Sequence, residues 1–175
     1  TEAASLAGHL KLSNLCWIWD NNKITIEGET ELAFSEDVAT KFIGLGWNVT
    51  RVGDANDLDM LKRAFNVFKQ TTDRPTLVIV DSHIGYGSQK QGTHSVHGAP
   101  LGAAEIEATR AHIGWNHPPF HVPADVYAAW DAHTRGASLE AQWNATFAAY
   151  RAAHPDLAAE FERRMAGNLP ADWDA

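Results

Sequence analysis

Leu15-Cys16-Trp17-Ile18-Trp19-Asp20-Asn21-Asn22-Lys23-Ile24-Thr25-Ile26-Glu27-Gly28 opens as an apolar run of strand length and stops abruptly at Asp20, where two asparagines follow. A continuous apolar run suits a strand covered on both faces, as in a parallel sheet. Its end then presents a carboxylate and two amides, hard oxygen donors of the kind that hold Mg²⁺ or Ca²⁺ together with a phosphate. Asp20-Asn21-Asn22 is equally an ordinary turn sequence, because Asp and Asn bond their own backbone and tolerate left-handed conformations. Local chemistry leaves both readings open.

Upstream, residues 1–12 have helical spacing, with Leu6, Ala7, Leu10 and Ala3 on one face, and Ser13-Asn14 is a turn. The chain starts inside this helix without an initiator Met, which leads us to expect further sequence before it. Downstream, Glu27 to Phe34 is polar and reads as a loop over the end of the strand. Ser35 is placed to cap a helix whose first turn carries Glu36 and Asp37 and whose apolar face is Val38, Phe42 and Ile43. Gly44 and Gly46 stop it. Trp47 to Val52 alternates and is rich in β-formers, a second strand. After the turn Gly53 to Asp57, the residues Leu58, Leu61, Ala64, Phe65 and Phe68 mark another helix, closed by Arg74-Pro75.

Thr76-Leu77-Val78-Ile79-Val80 is a third apolar run, ending in Asp81-Ser82-His83. Three strands separated by helices predict an α/β fold, an open parallel sheet flanked by helices with right-handed crossovers. Ligands of such sheets bind beyond the carboxyl ends of the strands. Asp20 to Asn22 and Ser82-His83 would both lie on that rim.

Residues 84–102 are too glycine-rich and polar for a regular element, and a loop of this length inside a domain is usually functional or disordered. His94 and His97 have no third nearby His, Cys or carboxylate to complete a zinc shell. They read either as imidazoles facing a phosphate or as exposed loop histidines. Residues 103–113 are amphipathic. The prolines of 116–123 make an extended connector, and Val126, Tyr127 and Trp130 mark the next helix. Leu139, Trp143, Phe147 and Tyr150 mark another, and Pro155 opens a last one through Leu157 and Phe161 to Met165. Aromatic spacing of three and four points to core packing.

At 175 residues and a net charge of −8, the chain has the size of one globular domain and lacks the clustered cations of a nucleic-acid surface. The single cysteine, Cys16, allows no intramolecular disulfide and sits in an apolar run, where a packed thiol is expected. No stretch is long and apolar enough to span a bilayer, and the first residues do not read as a signal peptide, so a cytoplasmic location is expected.

Several longer motifs occur in a fixed order: residues 2–12, Asp20 to Gly28, Ile84-Gly85-Tyr86-Gly87-Ser88, Gly92-Thr93-His94-Ser95-Val96-His97-Gly98-Ala99-Pro100-Leu101, and Leu169-Pro170-Ala171-Asp172-Trp173. Together they resemble the thiamine diphosphate-binding N-terminal domain of transketolases, in its second half. The resemblance implies that domain's fold, truncated at its N-terminus, with residues 1–102 as a partial diphosphate-binding α/β part and 103–175 as the C-terminal helical part of the same domain.

It also implies thiamine diphosphate and Mg²⁺ (or Ca²⁺) as cofactors, and transfer of a two-carbon ketol unit between sugar phosphates. Asn22 would give its side-chain oxygen and Ile24 its backbone carbonyl to the metal. Ile26 would lie against the thiazolium ring, Ile84 would touch the cofactor through its backbone, and His97, with His94 second, would contact the diphosphate. His97 is the residue with an implied catalytic role. Glu2 matches an acidic position near the subunit interface of a dimer. The family's Gly-Asp-Gly half of the metal motif and its pyrimidine-binding domain have no counterpart in these residues, so the isolated chain is expected to be inactive and to need the remaining domains. A related ketol transferase such as dihydroxyacetone synthase, and a non-catalytic remnant that only associates, are the alternatives.

Overall fold

A computed structural model describes residues 1–173. Its centre is β3 (Thr76–Asp81), which has parallel neighbours on both sides, β1 (Cys16–Asn21) and β2 (Asn48–Val52), in the order β1-β3-β2. The connection from β1 to β2 steps over β3 and the next returns to it, so the chain reverses direction within the sheet. Right-handed crossovers of opposite direction put their helices on opposite faces. The side chains of β3 follow suit. Leu77 and Ile79 pack with α1 (Glu2–His9) and α2 (Val38–Gly44), while Val78 and Val80 pack with α3 (Leu58–Gln70). Each such buried side chain contributes about 1.5–3 kcal/mol relative to exposure. The parallel α/β sheet expected from the apolar runs is therefore present.

Three local expectations are corrected. α1 turns Ala4 and Ala7 inward, and Leu6 and Leu10 remain exposed. Small residues are needed there because the backbone of Gly8 lies directly against Leu45 and the buried Trp47 donates its Nε1–H to the Ala4 carbonyl at 2.8 Å. α2 is capped by Asp37, not Ser35: its carboxylate accepts from the Thr40 amide at 3.1 Å and the Thr40 hydroxyl at 2.7 Å. β1 is not covered on both faces. Trp19 joins the α1–α2 cluster and Trp17 stacks near Trp47 at 4.9 Å, but Ile18 lies outside the α3 cluster and is 58% exposed.

The chain divides into two compact units, the first Thr1–Asn116 and the second beginning at His117. α4 (Ala103–His112) belongs to the first. The second holds α5 (Ala124–Trp130), α6 (His133–Ala153) and α7 (Pro155–Met165). Phe147 of α6 meets Phe161 of α7 at 5.4 Å and Trp143 at 5.8 Å. The aromatic stripe packs on itself, but α6 has no buried residue and Trp143 is 54% exposed, so the core packing expected from the spacing is not what the structure shows. Among the described residues, no helix is long and apolar enough to cross a membrane.

Candidate functional site

All three strands end on one rim, and the chain leaving β1 forms a tight structure there. The Asn22 side-chain oxygen accepts the Ile24 amide at 2.9 Å, an Asx turn, while the Asn22 amide nitrogen donates to Asp20 Oδ2 at 3.3 Å. Lys23 between them adopts φ +62°, a left-handed conformation uncommon for a residue with a side chain. Ile24 then pairs with Glu29 in an antiparallel bridge whose hydrogen bonds run from Thr30 N to Lys23 O (2.9 Å) and from Thr25 N to Gly28 O (2.7 Å). That pairing leaves the Ile24 carbonyl without a hydrogen-bond donor among the described residues.

Asp81, at the end of the central strand, ties the rim together. It lies opposite Asn21 in the register and accepts the Asn21 Nδ2–H at 2.7 Å. From the other side Arg51 of β2 grips it with both Nε (2.7 Å) and Nη2 (2.8 Å), the bidentate geometry favoured between guanidinium and carboxylate. The Arg51 guanidinium foremost, with the Asn21 amide and the Lys23 charge, holds the Asp81 carboxyl below the usual carboxylate range, and burial opposes this. Next to it, the Ser82 hydroxyl donates to Asp20 Oδ1. The Asp81 carbonyl accepts the Ala55 amide at 2.9 Å, which anchors the loop after β2.

Two clefts open at this rim. One of about 580 Å³ is lined by Asn22, Lys23, Arg51, Asp81, His83 and Tyr86 among others. A second, of about 270 Å³, is bounded by Asn22, Ile24, Glu29, His83 and Gly92. Asn22 and Ile24 thus come together, with Asn22 facing both clefts. Ile26, on the exposed outer turn of the loop, lines neither. The Ile84 carbonyl accepts the Gly92 amide at 2.8 Å, which closes the base of the glycine-rich loop. Gly85 is held at φ +66° where a Cβ would meet the Val96 side chain at 2.9 Å. His94 opens a short 3-10 turn, His94–Val96, and His97 follows it; both are exposed and neither lines these clefts. Glu2 begins α1 and is exposed. Sequence reasoning put Ser82 and His83 on the rim but missed the Arg51–Asp81–Asn21 network. The available signal was an Arg near the end of one strand and an Asp at the end of another, and it needs the strand order to become a pair.

The family model described as "Transketolase, thiamine diphosphate binding domain" matches residues 1–170. The chain belongs to the transketolase family. Transketolase 1 of Vibrio cholerae is 51% identical over 99% of this chain, and transketolase 1 of Escherichia coli is 47% identical over the same share. Among solved structures, a transketolase of Pichia stipitis in complex with sedoheptulose 7-phosphate superposes with a TM-score of 0.84 at 46% identity over 99% of the chain. The transketolase of Leishmania mexicana does so with a TM-score of 0.84 at 39% identity over 98% of the chain. The chain spans 26% of the length of each of these relatives. The domain's parallel sheet with its flanking helices is thus the transketolase cofactor-domain fold.

The donor set at the rim suits the family's cofactor. An amide oxygen has two lone pairs and Asn22 spends one on Ile24, so one remains; the Ile24 carbonyl remains too. Both are hard, neutral oxygens, appropriate to a divalent ion that also holds a diphosphate. Among the described residues no group of three or more His, Cys, Asp or Glu side chains could hold a metal by itself. A divalent cation held at this rim would therefore need further oxygens from a bound phosphate or elsewhere.

Proposed function

We propose that this transketolase domain is the anchoring wall for Mg²⁺ (or Ca²⁺) and thiamine diphosphate in an enzyme that transfers a two-carbon ketol unit between ketose and aldose phosphates. The free Ile24 carbonyl beside the Asn22 amide oxygen is the observation that carries this reading. Asn22 and Ile24 hold the cation, and the cation neutralises the diphosphate against an acidic protein surface. Ile26 walls the thiazolium ring, Ile84 meets the cofactor through its backbone, and His97 with His94 donates to the diphosphate. The bound cofactor supplies the carbanion stabilisation that ketol transfer requires. The residues of this chain bind it, orient it and shield it from water.

The same reading gives the substrates as sugar phosphates, like the sedoheptulose 7-phosphate in the Pichia stipitis complex. Residues 1–102 and 103–175 are two parts of one cofactor domain, Glu2 lies toward a homodimer interface, and the protein works in the cytoplasm beside the remaining transketolase domains. Ketol transfer assayed in the full-length protein with thiamine diphosphate and Mg²⁺ tests the proposal. His97→Ala should slow transfer or weaken cofactor retention, whereas Trp143→Ala should mainly lower stability. Equal activity per folded protein after His97→Ala would remove that residue from the site.

A further inference from the structure

Because β3 is the middle strand, its end is the one that reaches both neighbouring strand ends, and it spends its polar groups on the residues just before Asn22. Asp81 accepts the Asn21 amide at 2.7 Å and is itself fixed by the two Arg51 nitrogens; the Ser82 hydroxyl donates to Asp20, and the other oxygen of Asp20 accepts from the Asn22 amide nitrogen. Orienting Asn22 means fixing which end of its amide faces the cleft. A carboxylate on the nitrogen side leaves the oxygen side for Ile24 and a cation. We infer that Asp81, clamped by Arg51, is a positioning residue that sets the Asn22–Ile24 turn for cation and diphosphate binding, with Ser82 and Asp20 as the second arm of the same clamp. This rests on the reading of Asn22 and Ile24 as ligands.

Although it lies at the surface, the pair has the features of a positioning device. It is bidentate, its carboxylate is half-buried although the Arg51 side chain is exposed, and it joins three strands whose separate loops all line the larger cleft. Ligand-holding groups a few tenths of an ångström out of place lose much of their affinity, so supporting hydrogen bonds of this type commonly govern binding without touching the ligand. Lys23 at positive φ adds a reason for a clamp: a strained residue persists where its surroundings over-determine it.

Hydrogen–deuterium exchange by mass spectrometry on the full-length protein, comparing wild type with Asp81→Ala, tests the inference without depending on activity. Peptides covering residues 20–32 should exchange about tenfold faster in the variant, the effect of easier local opening after loss of a charge-assisted hydrogen bond, while α3 peptides keep their protection. Unchanged exchange in 20–32, or the same acceleration everywhere, would overturn it. If Asp81→Ala does not fold, Asp81→Asn carries the same readout, with a smaller selective acceleration expected and none or a uniform one contradicting the clamp. Calorimetric titration of thiamine diphosphate with Mg²⁺ into the wild-type protein separates the two levels. Absence of binding there sinks the functional reading, while the exchange result still decides whether the clamp exists.

Discussion

Replacing Gly8 by Ala should destabilise the first unit, although the same change in an open helix does the opposite. Helix propensity favours Ala over Gly by about 1 kcal/mol. At Gly8 a Cβ would overlap the Leu45 carbonyl oxygen and lie 3.1 Å from its carbon, both backbone atoms that cannot rotate away. α1 would have to retreat by roughly 1 Å, an overpacking cost of about 1–3 kcal/mol. That retreat also pulls the Ala4 carbonyl from the buried Trp47 indole, and an orphaned buried donor costs about 1–3 kcal/mol more. Subtracting the propensity gain leaves a net loss of about 3 kcal/mol, or a fall in Tm of about 6–12 °C for a chain of this size. Gly136 in α6 has no atom within 4 Å of its would-be Cβ, so Gly136→Ala should gain about 0.5–1 kcal/mol. Thermal and urea unfolding followed by circular dichroism and tryptophan fluorescence compare the two. A neutral or stabilising Gly8→Ala would refute the close approach of α1 to Leu45.

Further outcomes follow from the caps and charges. Asp37→Ala should cost about 1 kcal/mol of stability through loss of the α2 cap, and Ser35→Ala should cost almost nothing; urea midpoints of the two variants check this ranking. Glu160, bonded at 2.7 Å by Arg163 and by Arg164, has its carboxyl pKa lowered to about 2. A depressed carboxylate stabilises the fold at pH above its unfolded value near 4.5 and loses that contribution as pH falls toward about 2. Carbon-13 NMR titration should find it near 2 in the wild type and back toward the ordinary range in an Arg163→Ala/Arg164→Ala variant. Asp81 has the same sign, so acidification below its ordinary carboxylate range should weaken the wild type more than Asp81→Asn, measured as Tm against pH.

Strand identity and parallel pairing were legible because β1 and β3 are short apolar runs bounded by polar turns and separated by helix-length segments. What periodicity could not supply was which face of α1 turns inward. Leu6 and Leu10 are the larger apolar residues, yet close contact between Gly8 and Leu45 admits only alanines. Ser35 and Asp37 are both good caps, and the choice depends on where α2 enters its contact with Trp47, a tertiary matter. At the site, Asn22 and Ile24 are singled out only through the resemblance of Asp20 to Gly28 to a transketolase motif, and the turn and bridge that shape them become visible in the structure. Arg51 and Asp81 are thirty residues apart and meet only through the β1-β3-β2 order, which no local pattern encodes.

In the proposed site, Asn22 and Ile24 hold the divalent ion through which thiamine diphosphate is bound. Asn22→Ala removes one donor and leaves the chain free to keep its bridge from Ile24 to Glu29. Calorimetric titration of thiamine diphosphate at fixed Mg²⁺ into the full-length protein should show affinity about tenfold or more weaker than wild type, in the range seen when support of a metal site is lost. Unaltered cofactor affinity in folded Asn22→Ala would contradict the account.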